Sequence, residues 1–267
     1  LAESMRAASP GIKLVCVGGT RDHWRKAVLA GCALNVDLLS EKCCSDLRDT
    51  PAALMQSLTE NVRECTLAYR SLVQTMPEMK DRAIRLAICQ WGFVFEDGGG
   101  GMAWRHGLGI AAGIHQFIRD SDVLGLAAYT SAIGPNGAVC VSDGGACLTP
   151  AGLLLSLYRN HFGTEAVAVN EECAPLDIVA ARSADSAALT VAVVNPLEEE
   201  ASIQLSLPDD HRIHAEMSWV VTAPSSESVN IPGGESPIVL EQRPFGADAD
   251  VLPCPPLSVT IFRLRVE

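Results

Sequence analysis

Three short stretches carry residue types that chemistry uses. Cys89-Gln90-Trp91-Gly92 closes the apolar run Ile84–Ile88 with a thiol, a carboxamide and an indole. Glu41-Lys42-Cys43-Cys44 follows Val36–Ser40, and Ala128-Tyr129-Thr130-Ser131 ends the run that opens at Val123. Glu41 is either a reactive carboxylate or a structural one held by hydrogen bonds. Cys43, Cys44 and Cys89 raise thiol or metal chemistry. Neighbours on a strand point to opposite faces, so at most one of Cys43 and Cys44 faces Cys89. No CxxC or HxxxH spacing supports zinc, and neither metal nor cofactor is expected. Glu96 and Asp97 stand beside the run Gly98–Gly101 and read as solvated loop charges.

Strand–helix alternation positions these stretches. Ile12–Val17, Val36–Ser40, Ile84–Ile88 and Val123–Tyr129 read as strands. His23–Ala30, Pro51–Met76, Trp104–Arg119 and a segment from Pro150 through Arg159 read as helices, with Thr149 as N-cap. Over Pro51–Met76, apolar residues recur at Leu54, Leu58, Val62, Cys65, Tyr69, Leu72 and Met76, the period of one long amphipathic helix. Such alternation implies βαβ units and a parallel sheet. After Val167 the pattern changes to short strand-like runs at Ile178–Arg182, Leu189–Asn195, Ala201–Leu207, His214–Val221, Ser236–Leu240 and Ser258–Val266. These predict an antiparallel sandwich. The expected division is an α/β part over residues 1–165 and an all-β part over residues 166–267.

Composition narrows the function classes. The 267 residues carry 20 Lys+Arg against 32 Asp+Glu, a net charge of −12. The pI is about 4.9. No basic cluster offers a nucleic-acid face, and the charge repels anionic membranes. No apolar stretch is long enough to span a bilayer. Apolar residues make up 48%, and mean hydropathy is +0.19, so a sizeable core is available. Leu1–Pro10 has no apolar leader pattern, which gives a cytoplasmic expectation, although Leu1 is not an initiator Met. The ten cysteines therefore read as reduced, and Cys16, Cys89 and Cys140 as core residues within apolar runs.

Residues Arg85-Leu86-Ala87-Ile88-Cys89-Gln90-Trp91-Gly92 resemble the Ile-Ala-x-Asp-Glu-Trp-Asn motif of α-L-arabinofuranosidases of glycoside hydrolase family 51. Gly107–Ser121 and Thr149–Val169 resemble helices of that family closely, and Ser9–Leu14, Val36-Asp37 and Ser40-Glu41 add weaker matches. The resemblance covers nearly the whole chain. It implies the C-terminal half of a (β/α)₈ barrel, strands five to eight, followed by a β-sandwich. Strands one to four would precede Leu1. They carry the family's general acid/base Glu in a Gly-Asn-Glu motif, which this sequence lacks.

Retaining glycosidases use two carboxyl groups about 5–5.5 Å apart, one as nucleophile and one as acid/base. By resemblance the nucleophile position is Gln90. A carboxamide is uncharged and a poor nucleophile, and losing a covalent nucleophile costs several orders of magnitude in rate. The family's flanking Asp and Asn are Cys89 and Gly92. Its Glu-His-Phe-Tyr is Glu41-Lys42-Cys43-Cys44, so the Tyr that bonds the nucleophile becomes Cys44. Its Asn-Tyr-Ala-Gln is Ala128-Tyr129-Thr130-Ser131, with Ser131 at a sugar-contacting Gln. Glu41, Cys44, Trp91, Tyr129 and Ser131 are thus the candidate substrate-binding positions. Trp91 reads either as a sugar-stacking ring or as a buried core Trp. Asp22-His23-Trp24, in the loop after the first strand, is a weaker rim candidate. His115 and His161 read as structural, and Glu96 or Asp97 would have to replace the missing nucleophile.

The implied activity is retaining hydrolysis of terminal α-L-arabinofuranosyl groups in arabinan or arabinoxylan, impaired in this chain. The alternatives are a non-catalytic sugar-binding or structural remnant, and one half of a split barrel. A four-strand half barrel exposes an apolar seam and unpaired edges, so a homo-oligomer or a missing N-terminal half is the expected partner.

Overall fold

The computed structural model describes every residue except 20, 77, 78, 80, 81, 96–100, 171, 172, 207–212, 246–250 and 267. Its first part is built on four parallel strands in sequential order: β1 (Val15–Val17), β2 (Leu38–Asp46), β3 (Arg85–Val94) and β4 (Leu124–Ala127). Helices α1 (Ala2–Ala8), α2 (Asp22–Cys32), α3 (Pro51–Thr75), α4 (Trp104–Arg119) and α5 (Pro150–His161) accompany them. Helix α3 forms as its spacing predicts: Leu54, Leu58, Val62, Tyr69 and Leu72 are buried, Pro51 occupies the first turn, and the Thr50 hydroxyl accepts the Ala53 N–H. Thr149 caps α5 in the same way, accepting the Gly152 N–H.

Two strands run further than expected. β2 continues through Glu41–Asp46 and β3 through Gln90–Val94, so the chemistry-bearing stretches lie inside strands rather than beyond them. Along β2, Leu39, Glu41, Cys43 and Ser45 are buried while Lys42 and Asp46 are exposed. That alternation is a strand pattern disguised by polar residues. β1 is shorter than expected, and it pairs with β2 only over Leu38–Ser40. Asp22-His23-Trp24 forms the first turn of α2, not a loop, and the Trp24 indole donates to the Val17 carbonyl at 3.3 Å.

The hairpin β5 (Val139–Ser142) and β6 (Gly145–Leu148) lies between β4 and α5. A six-stranded antiparallel sheet follows, in the order β12-β11-β14-β9-β8-β7. Its strands are β7 (Glu165–Val167), β8 (Asp177–Arg182), β9 (Leu189–Asn195), β11 (Ile213–Thr222), β12 (Val239–Pro244) and β14 (Ser258–Val266). The pair β10 (Ala201–Gln204) and β13 (Val251–Cys254) covers one face, where Ile203, Leu252 and Cys254 meet Val191, Val193 and Phe262. The other face, through Val179, Ala192, Val194, Val259 and Ile261, shares one core with α4 and α5. Strand β12 starts three residues later than Ser236, and the expected end at Leu207 lies outside the described residues.

All ten cysteines are free. Cys89 is exposed, against its reading as a core residue. Among the described residues, no helix is long and apolar enough to cross a membrane, and no three metal-ligating side chains cluster.

Candidate functional site

The four strands are parallel, so their C-terminal ends lie together. The β2–β3 register slips there: Glu41 opposes Ile88, whereas Lys42 opposes Gln90. Cys89 is the extra residue of this bulge, which re-aims the strand just before Gln90. The Thr130 hydroxyl donates to the Cys89 carbonyl at 3.0 Å and ties the segment after β4 to the bulge. Gln90 is half-buried, and its register partner Lys42 is exposed on the same face. Two residues on, Gly92 opposes Cys44 and has φ +120°, a conformation that L side chains rarely adopt. A Cβ there would lie 3.3 Å from the Tyr129 ring.

Tyr129 is half-buried, and its hydroxyl donates to the Asn136 carbonyl at 3.0 Å. Burial, assisted by the neighbouring Cys44, holds its phenol well above the ordinary range. Burial also pushes up the Cys44 thiol, against the opposing charge of Lys42. Ser131 is exposed, and its carbonyl accepts the Ala138 N–H at 3.1 Å. Gln90, Cys44, Tyr129 and Ser131 are thereby gathered at one end of the sheet.

Glu41 sits apart from this group and Trp91 adjoins it through Tyr129; both lie in the layer between sheet and helices. Glu41 is 3% exposed and accepts from Arg25 Nε of α2 at 2.6 Å. Burial raises its carboxyl above the ordinary value even though Arg25 opposes the rise. Trp91 is 3% exposed and packs edge-to-face on Phe117 at 4.9 Å and on Tyr129 at 5.2 Å. Both alternatives were open in the sequence, and here both side chains occupy core places. Cys43, fully buried, meets Cys65 of α3 rather than Cys89. His115 bonds the Tyr158 hydroxyl and lies 3.5 Å from Asp177 on β8, while His161 stacks on Trp219 at 4.1 Å. Glu96 and Asp97 lie outside the described residues.

The face that carries Gln90 also holds Ser40, Lys42, Cys44 and Asp46 of β2. A carboxamide beside an ammonium can bind hydroxyl groups. It cannot form a glycosyl ester, and Asp46 is the one carboxylate this row of β2 supplies. Sequence reasoning missed an adjoining cavity of about 410 Å³ lined by Cys44, Asp46, Arg48, Gln56, Glu60 and Glu64, among others. Its signal was present in the spacing of Gln56, Glu60 and Glu64 along one flank of α3.

No family model and no curated protein matches the sequence. Solved structures do match. An α-L-arabinofuranosidase from Thermotoga maritima, solved in an arabinose complex, superimposes with a TM-score of 0.81 at 18% identity, over 99% of this chain and 60% of that one. The family 51 α-L-arabinofuranosidase from Thermotoga petrophila gives 0.79 at 19% identity, over 98% and 60%. A family 44 xyloglucanase from Paenibacillus polymyxa gives 0.64 at 14% identity, over 99% and 59%. The chain spans about 60% of the length of the arabinofuranosidases it matches, and over that span it has the fold of glycoside hydrolase family 51, the family its sequence resembles.

Proposed function

We propose that this chain is the C-terminal half of a (β/α)₈ barrel with its β-sandwich, from an α-L-arabinofuranosidase-type glycoside hydrolase, and that it is catalytically impaired as it stands. The ancestral reaction is retaining hydrolysis of terminal α-L-arabinofuranosyl groups from arabinan or arabinoxylan. The observation that carries this reading is Gln90. It sits at the nucleophile position by resemblance, in register with Lys42, in the C-terminal half of β3, towards the sheet end where such enzymes place their carboxylates. Cys44, Tyr129 and Ser131 then line what remains of a sugar site.

The chain should release no nitrophenol from an aryl α-L-arabinofuranoside above a heat-killed blank. Gln90→Glu should not restore release, because the acid/base partner is still absent. Turnover by either protein would overturn the reading.

The split-barrel alternative draws on a separate observation. Val15 and Val17 of β1 and Leu126 of β4 are 45%, 69% and 45% exposed, and they share a face through the register Val17–Ser40–Ala87–Leu126. Among the described residues, the outer edges of β1 and β4 have no partner strand. An N-terminal half barrel, in the same polypeptide or a separate one, would cover both.

A further inference from the structure

We propose that Cys140 and Cys147 form a dithiol modification site that low-molecular-weight disulfides, such as oxidised glutathione, convert to an internal disulfide across hairpin β5–β6. The two residues are direct register partners, each three positions from the Asp143-Gly144 turn. Both are free and half-buried. Directly opposed residues of an antiparallel pair have Cα atoms about 4.5–5.5 Å apart and side chains on one face. A disulfide spans Cα separations of about 4.4–6.8 Å, so either kind of opposed pair meets its requirement without moving the strands.

Two other cysteine pairs meet in the fold. Cys43 and Cys65 are in contact, but Cys43 is fully buried and closed to a bulky oxidant. Cys16 and Cys32 are also in contact, but they join a strand to a helix with no backbone ladder between them. Cys140 and Cys147 alone among these pairs are held opposite each other by a hydrogen-bonded ladder.

The chemistry is two thiol–disulfide exchanges. One cysteine thiolate attacks a sulfur of glutathione disulfide, forms a mixed disulfide and expels one glutathione thiolate. The second cysteine thiolate attacks the protein sulfur of that mixed disulfide and expels the other glutathione. Two protein thiols are oxidised, one glutathione disulfide is reduced to two thiols, and the two protons pass to the leaving thiolates. Burial and the neighbouring Cys140 hold the Cys147 thiol above its ordinary range, so closure quickens as pH rises.

The hairpin is wired to the candidate site. Ala138 and Val139 donate to the carbonyls of Ser131 and Ala132, and Tyr129 bonds the Asn136 carbonyl. On the other side, the Asn230 amide donates to the Leu148 and Ile238 carbonyls, and these bonds survive oxidation, whereas the Cys147 thiol, which donates to the Asn230 carbonyl at 3.5 Å, gives up that bond when the disulfide forms. A link between the strands stiffens the segment that carries Tyr129 and Ser131. The consequence for a sugar ligand rests on the proposed function; the disulfide and the stiffening do not.

The full chain is incubated with oxidised glutathione, free thiols are alkylated, and the protein is cleaved before Asp143. The expected product is two peptides, one with Cys140 and one with Cys147, joined by a bond that dithiothreitol breaks. Cys140→Ser and Cys147→Ser each abolish the link and leave a glutathione adduct on the remaining partner. Glutathione on both cysteines with no link, or a link at Cys16–Cys32 in preference, overturns the proposal. Amide exchange at Ala138 and Val139 should slow several-fold in the oxidised protein. Unchanged exchange alongside a proven link overturns the stiffening, whatever the fate of the arabinofuranosidase reading.

Discussion

Acidification should weaken this protein through one histidine. His106, in the first turn of α4, is 4% exposed. Its Nδ1 accepts the Ala103 N–H at 3.0 Å, and its ring packs against Phe95 at 5.1 Å. Nε2 is buried without a partner among the described residues. Burial, helped by the charge of Arg105, brings its pKa from an ordinary 6.5 down to about 4. At 1.36 kcal/mol per pH unit, that gap is worth about 3 kcal/mol. Between these two values the unfolded chain binds a proton that the folded chain refuses, so stability rises with pH across the window. It is fully present above about 6.5 and falls away towards pH 4. His106→Asn keeps an acceptor near the Nδ1 position and cannot titrate. It lowers stability at neutral pH by leaving space, but it removes the slope. Glu41, whose raised pKa gives the opposite sign, and His161, whose lowered pKa gives the same sign, are present in both proteins and cancel in the difference. Urea unfolding at intervals from pH 7.5 to 4 should show the wild-type advantage shrinking by about 3 kcal/mol. A difference constant to within about 0.5 kcal/mol across that range would refute the reasoning.

Other outcomes follow from particular contacts. Asp177→Asn should cost about 2 kcal/mol at pH 7, because it discharges a half-buried carboxylate bonded to Arg119, a partner that is itself partly exposed. Although burial raises it, His115 and Arg119 together hold that carboxyl below its ordinary value. The loss seen in thermal melts should therefore close as pH falls below about 4. Gly109→Ala puts a Cβ 2.6 Å from the Phe93 ring and 3.2 Å from Leu54, and should lower stability by about 1–3 kcal/mol in urea unfolding. Val17→Lys charges the open face of the parallel sheet. It should reduce self-association in sedimentation velocity while leaving the melting temperature unchanged.

The sequence made helix α3 plain, because Leu54, Leu58, Val62, Tyr69 and Leu72 all fall on one stripe and are all buried. β9 was equally legible as a run that is apolar except at Thr190 and the terminal Asn195. The second half of β2 was not. Its inward row, Glu41-Cys43-Ser45, is not apolar, and Glu41 is buried only because Arg25 reaches it from another element. The same long-range packing decided Trp91, whose neighbours Phe117 and Tyr129 lie 26 and 38 residues away in the chain. That Gln90 and Cys44 lie in the C-terminal halves of β3 and β2 could be read from the motif, although both strands run on past them. The bulge at Cys89 could not, because register depends on the partner strand. β13 was missed because Pro253 interrupts it, and the β5–β6 hairpin because its strands are only four residues each.

β9 is buried at all seven of its residues, with α4 and α5 lying against one face of its sheet. The Trp104 indole on α4 donates to the Leu257 carbonyl, and the Arg105 N–H to that of Ser226. The C-terminal portion therefore cannot be excised near residue 165 as an autonomous module. Expressed alone, it would show water a row of valines and isoleucines that only the helices now shield. Limited proteolysis should nick the chain without separating the two pieces, and heating should melt them in a single transition.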